Sequence, residues 1–312
     1  MPVAPLWFLT GLALPAAIAA AVLLLTLRPW RKAECRPRRT GVGWAIAVGL
    51  GMAVALPALH GPPPGDAWDK PLRLFEWHRW LWFAVMPLTV AAVLWVSRTT
   101  PARVVGAALG VLVIVALPLF ELLPIVRQAW NPPQAAQWLA GLSGGLLLLT
   151  ALGHALSVTA GRELPPILGL TAVGAGLTVA WSGSADIGLP LVSLGAIMAG
   201  GGGVALFGTC RSAYGSAAPT LLVLGAVLLA GYLYTYDPYR DEPGLPPWHA
   251  VTLAAAPLLA WVGSVPLPAK LDRPLTRAAI RLAAALIPVA VVVVDAGLTF
   301  AAEYGETASP YD

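Results

Sequence analysis

The chain has 312 residues, of which 58% are apolar and only 11% charged. A soluble domain carries about 25% charged residues, so the charge here is too sparse to cover a water-facing surface, and mean hydropathy is high at +0.76. The formal charge of +4 does not indicate nucleic acid, because the basic residues gather between apolar runs and no basic stripe is interleaved with stacking aromatics.

An apolar stretch of roughly 20 residues spans a bilayer as a helix, and several such stretches follow one another. The sequence therefore predicts an all-α fold: a polytopic integral membrane helix bundle of about ten transmembrane helices, one domain over residues 1–312, both termini outside. Span 1 is about Leu6–Leu27. No Lys or Arg precedes its apolar run and the positive block follows it, which is the reverse of a secretory signal. That block, Arg28–Arg39, holds six basic residues between two uncharged apolar runs. Such a loop resists translocation and is placed on the cytoplasmic side.

Span 2 is about Gly41–His60. The outer loop after it opens with Pro62-Pro63-Pro64. Over 66–79 it places Trp68, Leu72 and Phe75 at helical spacing among charges, as an interfacial amphipathic helix would. Spans 3 to 5 follow at about Trp80–Val96, Ala102–Ile125 and Trp138–Val158. Spans 6 and 7, about Pro166–Trp181 and Leu189–Phe207, are joined by a Gly- and Ser-rich turn that also suits a re-entrant hairpin. Spans 8 to 10 are about Pro219–Tyr236, Ala250–Val265 and Leu282–Phe300. With this topology 14 of the 19 Lys and Arg residues fall inside, and each of the five inner loops carries at least one.

Most tryptophans fall near the outer interface, including Trp68, Trp80, Trp130, Trp181 and Trp248. Ordinary anchoring explains them, and an aromatic-lined site for a lipid or apolar substrate is the alternative. Cys35 and Cys210 are read as free cytoplasmic thiols, not a disulfide or metal pair. Spans 5 to 7 are rich in small residues: Gly141, Gly144 and Gly145, then Gly169, Gly174 and Gly176, then Gly195-x-x-x-Ala199 and Ala196-x-x-x-Gly200. Such spacing lets helices approach closely.

A charge within a span needs a reason. There are two acids within spans. Asp295 lies in VVVVDAGLTF, about two thirds of the way to the outer side. Glu121 lies between Pro118 and Pro124. If their spans are neighbours, the carboxylates form a substrate or proton pathway, or an acid/base pair; the bland reading is snorkelling for Glu121 and a helix-to-helix bond for Asp295. His60, His78 and His249 lie at outer span ends and are weak metal candidates without a zinc-motif spacing, so no metal is assigned. His154 reads as hydrogen-bonded in the bundle. There is no GxSxG elbow for nucleophilic catalysis.

The leading functional expectation is a carrier of a small solute or lipid-like molecule with Asp295 and Glu121 in its pathway. The rivals are a membrane-embedded enzyme with an outer-leaflet site and a non-catalytic subunit or scaffold. The partners implied are the lipid bilayer and a small-molecule substrate, with no cofactor and no nucleic acid, in a bacterial-type inner membrane. Oligomeric state is not encoded in any motif.

Overall fold

The computed structural model describes residues 9–27, 37–60, 89–91, 93–94, 99–128, 131–159, 162–207, 215–237, 242–265 and 273–305. A π-turn over Leu9–Ala13 leads into α1 (Leu14–Leu27), followed by α2 (Pro37–His60), α3 (Thr100–Gln128), α4 (Pro132–Thr159), α5 (Leu164–Trp181), α6 (Ala185–Phe207) and α7 (Ala217–Tyr234). A two-residue antiparallel ladder, β1 (Tyr236–Asp237) with β2 (Glu242–Pro243), precedes α8 (Pro247–Ala255). α8 runs directly into a 3-10 helix, Ala256–Ser264, and α9 (Pro274–Gly305) ends the described chain. Among the described residues eight helices are long and apolar enough to cross a membrane: α1 taken with its π-turn, and all the others except α8. The all-helical expectation therefore holds.

Several helices begin earlier than their apolar runs. α4 starts at Pro132 rather than Trp138, α6 at Ala185 rather than Leu189, and α9 at Pro274 rather than Leu282. Hydropathy marks only the part suited to hydrocarbon, whereas backbone hydrogen bonding continues until a cap stops it. At α4 the cap is Asn131. Its Oδ1 accepts the Gln134 N–H at 3.0 Å, its carbonyl accepts the Ala135 N–H, and Pro132 occupies the first position, where its missing N–H is not needed. The expected span 3 and the interfacial segment 66–79 lie outside the described residues, apart from short helical pieces at 89–91 and 93–94.

α5, α6 and α7 form the centre of the bundle, with most of their residues buried. α5 closes in a Schellman turn: the Ser184 N–H bonds the Val179 carbonyl and the Gly183 N–H bonds Ala180, with Gly183 at φ +112°. α5 and α6 then run back to back with their backbones in contact. A Cβ at Gly176 would lie 2.7 Å from the Gly188 carbonyl oxygen, and one at Gly195 would lie 2.9 Å from that of Gly169. Small residues were expected to permit this approach, and in α5 and α6 they do. In α4, Gly141, Gly144 and Gly145 meet no neighbour among the described residues, whereas Gly153 lies against Leu221 of α7. With 18 and 23 residues, α5 and α6 measure about 27 and 34 Å, and both fall within the range of about 17–25 residues that spans a hydrocarbon core.

α1 and α2 pack on α6, where Gly201 leaves room for the buried Trp44 ring and Leu23. The π-turn at the start of α1 frees a carbonyl, and the Ser193 hydroxyl donates to Gly11 O at 2.7 Å. α3 and α4 pack together, and α4 packs on α7. The segment from α8 to α9 covers α5. The peripheral helices turn large apolar side chains outward, among them Leu25, Val104, Leu112, Leu148 and Ile287. Water would penalise this surface heavily and lipid does not.

Candidate functional site

The site is positioned by residues at the two ends of the connection between α7 and α8. The Thr235 hydroxyl, at the end of α7, donates to Gly231 O and accepts the Leu245 N–H at 2.9 Å. The Thr235 carbonyl accepts the Gly244 N–H at 2.7 Å. A Cβ at Gly244 would overlap the carbonyl oxygens of both Thr235 and Ser182. Leu245 is completely buried, beside Gly231 and Val179. The chain therefore enters α8 at one place. Pro246, extended at φ −59° and ψ 142°, caps it, and Pro247 takes the first helical position.

This entry sets His249 in the first turn of α8, facing α9. Its Nε2 lies 3.0 Å from Oδ2 of Asp295. The imidazole is 3% exposed and the carboxylate 53%. Trp248 packs edge-on against the imidazole, with ring centroids 4.1 Å apart and planes at 62°. The Nδ1 atom of His249 is buried and has no hydrogen-bond partner among the described residues. That favours the neutral tautomer, with the proton on Nε2 directed at the carboxylate and a lone pair on Nδ1. Protonating Nδ1 would bury an unmatched N–H, which carries a penalty of about 1–3 kcal/mol. One oxygen of Asp295 is thus occupied by His249, and the carboxylate keeps an open side.

The sequence singled out both residues but assigned them to different roles, Asp295 to a pathway and His249 to a weak metal set. The structure joins them. Glu121 lies on α3, and its side chain is outside the described residues. α3 packs on α4 and touches α7, whereas α9 packs on α5, α8 and the 3-10 helix, so the two acid-bearing helices are not packed neighbours. His60 ends α2 and is partly buried, while His78 lies outside the described residues. Among the described residues no three His, Cys, Asp or Glu side chains gather as metal ligands.

A second polar cluster occupies the opposite end of the same helices. Arg281 of α9 is 9% exposed. Its Nη1 pairs with Glu163, in the turn between α4 and α5. Its Nη2 donates to Ser264 Oγ at 3.2 Å and reaches Thr159 O at 3.5 Å. The Trp261 indole N–H donates to Thr159 Oγ1 at 3.1 Å. Gly263 has no side chain because the Arg281 side chain and the Arg277 carbonyl fill that space. In the span assignment from sequence both residues fall outside the spans, Glu163 between the fifth and sixth and Arg281 just before the tenth.

His154 lines a third feature, a cavity of about 370 Å³ between α3, α4 and the start of α7. Its other walls include Gly106, Gly110, Ile114 and Leu147, so it is apolar apart from His154 and Thr150. No protein-family model, no curated protein and no solved structure matches the chain. The class that the fold defines is an all-helical protein, and the eight long apolar helices among its described residues are compatible with a multi-pass membrane protein.

Gly244→Ala tests how the site is positioned. The added methyl group meets two carbonyl oxygens, so the loop must move and α8 with it. We expect a loss of about 1–3 kcal/mol, the range for overpacking, read as a lower midpoint for loss of the monodisperse peak after heating in detergent. An unchanged midpoint would show that the loop does not hold α8.

Proposed function

We propose that the chain is an integral membrane carrier of a small solute or lipid-like molecule, with Asp295 as the acid of its pathway and His249 as the group that holds it. The carrying observation is the 3.0 Å contact between the two within apolar helices. Ionisable groups at such depth are costly and are characteristic of ion and substrate pathways. A broken helix on the same element supports the reading. Pro257 lacks an N–H and its ring clashes with the carbonyl one turn back, and there α8 gives way to a 3-10 helix of nine residues. Long 3-10 runs are uncommon and mark hinges or strain.

The same elements support ten spans with both ends of the chain outside. Nine residues of α-helix and nine of 3-10 helix measure about 31 Å together. One end, at His249, meets Asp295 near Trp181 and Gly297; the other, at Trp261 and Ser264, meets Thr159 and Arg281. Contacts among described residues that flank the inner loops agree with this reading. Gly215 touches Gly41 and bonds Ser157, and the Arg162-Glu163 turn meets the start of α9. The ten-span reading takes its remaining crossing from the apolar run of the sequence at about Trp80–Val96. A bacterial-type inner membrane suits this charge distribution.

The test is solute-dependent proton flux. Proteoliposomes loaded with a pH-sensitive dye are given a proton gradient and offered sugars, amino acids, amines, inorganic cations and amphiphiles in turn. One class should drive a flux. A chain silent to every class, while monodisperse and correctly inserted, would overturn the carrier reading.

A further inference from the structure

We propose that the open side of Asp295 binds an amphiphilic ammonium compound, a protonated amine on an apolar chain, taken laterally from the lipid rather than from water. The inference rests on the reading of Asp295 and His249 as the site and names the substrate class for it. Three observations carry it.

The first is where the carboxylate opens. His249 occupies Oδ2, yet 53% of the Asp295 side chain remains exposed. Around it on α9 stand Ile287, Val291, Val294 and Leu298, all more than half exposed. They lie eight, four and one residues before Asp295 and three after it, which is one continuous helix face. Asp295 therefore opens onto an apolar stripe. On the adjoining element Trp248 and Val251 extend that apolar surface, and Val251 is 67% exposed.

The second is the chemistry offered. A carboxylate with one hydrogen-bonded oxygen presents its other oxygen as an acceptor and carries negative charge. In a low-dielectric setting that charge favours a cation with N–H donors. Trp248, in edge contact with the imidazole, places an aromatic ring beside the pair, which an ammonium also prefers. A bare metal ion is a poorer fit, since the described residues gather no set of three ligands.

The third is depth. Asp295 lies 14 residues beyond Arg281 on one unbroken helix, about 21 Å along the axis. With Arg281 at the inner boundary of a hydrocarbon layer about 30 Å thick, the carboxylate sits about 9 Å below the outer one. An amine headgroup dips that far while its chain lies along the α9 stripe. A hydrophilic ammonium compound would gain the charge contact but not the stripe.

Dicyclohexylcarbodiimide is the probe. It partitions into lipid and adds to a carboxyl group through the fraction that is protonated at equilibrium, giving over time an N-acylurea found by peptide mass spectrometry. The full-length protein is labelled in phosphatidylcholine nanodiscs with dodecylamine, ethylamine or dodecanol at equal concentration, and Asp295→Asn is the labelling control. We expect the Asp295 adduct without additive. Dodecylamine should lower it about tenfold, as occupancy well above the dissociation constant requires, or replace it by the dodecylamide. Ethylamine and dodecanol should leave it in place. Equal protection by ethylamine would make the site water-open, and equal protection by dodecanol would make the effect mere partitioning. Either result overturns the proposal, as does an Asp295 that never labels or that dodecylamine fails to protect. Protection by ethylamine would leave the carrier reading standing. Protection by dodecylamine in a chain with no solute-dependent flux would remove the carrier reading and leave this one.

Discussion

Arg281→Ala should lower the stability of the bundle by about 3 kcal/mol, the lower end of the range for breaking a buried ion pair from one side. The argument is local. Arg281 joins four segments at one end of the molecule: its own helix, the Glu163 turn, the end of α4 at Thr159 and the end of the 3-10 helix at Ser264. Both partners are largely buried, with side-chain exposures of 11% and 15%. Truncation strands the Glu163 carboxylate and empties the space that Gly263 leaves for the arginine stem. Arg281→Lys keeps the charge but has one nitrogen in place of a planar fork, so it cannot serve Glu163 and Ser264 together. Its midpoint should fall between those of Arg281→Ala and the parent chain. A double substitution with Glu163→Gln separates the terms: the second change should be nearly silent on top of Arg281→Ala, because the two act as one unit. Additive losses would mean that the pair is incidental and that packing against Gly263 carries the effect.

How far this was legible in the sequence differs from element to element. The helices were legible because an apolar run of span length has few other fates, and α5 and α7 match their expected spans within two residues at each end. The extension of α9 back to Pro274 was less visible, since Arg273 and Arg277 read as loop charges. Arg281 did carry a signal. With Ala285, Val289, Val292 and Ala296 it forms a buried stripe at spacings of four and three, so it continues the packed face of the helix into the charged region.

The candidate site was legible in its parts and not in its pairing. Asp295 stood out as a charge in an apolar span. His249 stood out only as an interfacial histidine. Forty-six residues separate them, and what brings them together is the short loop held by Thr235, Gly244 and Leu245. Nothing in hydropathy or spacing reports that a glycine backbone will press on two carbonyl groups or that a leucine will plug a gap between α5 and α7. Such contacts depend on tertiary packing, and local pattern is blind to them.

Asp295→Asn should abolish solute-driven flux, by about a hundredfold, the loss typical when one preorganised group at a reacting centre is removed. The fold should survive it. Asparagine matches aspartate in volume and keeps a carbonyl oxygen where His249 Nε2 can donate, so the contact at 3.0 Å persists in neutral form. The heating midpoint should therefore stay close to that of the parent chain. What asparagine lacks is the charge and the exchangeable proton, and these are what a carrier uses to couple or to balance a cationic substrate. Asp295→Glu returns both on a stem longer by one methylene, so it should restore part of the flux although it disturbs the His249 geometry more than asparagine does. A structural acid predicts the reverse order: asparagine, the better fit, would keep full flux and glutamate would lose it. The ranking of these two variants, measured in the same proteoliposomes, decides whether Asp295 serves transport or only ties α9 to α8.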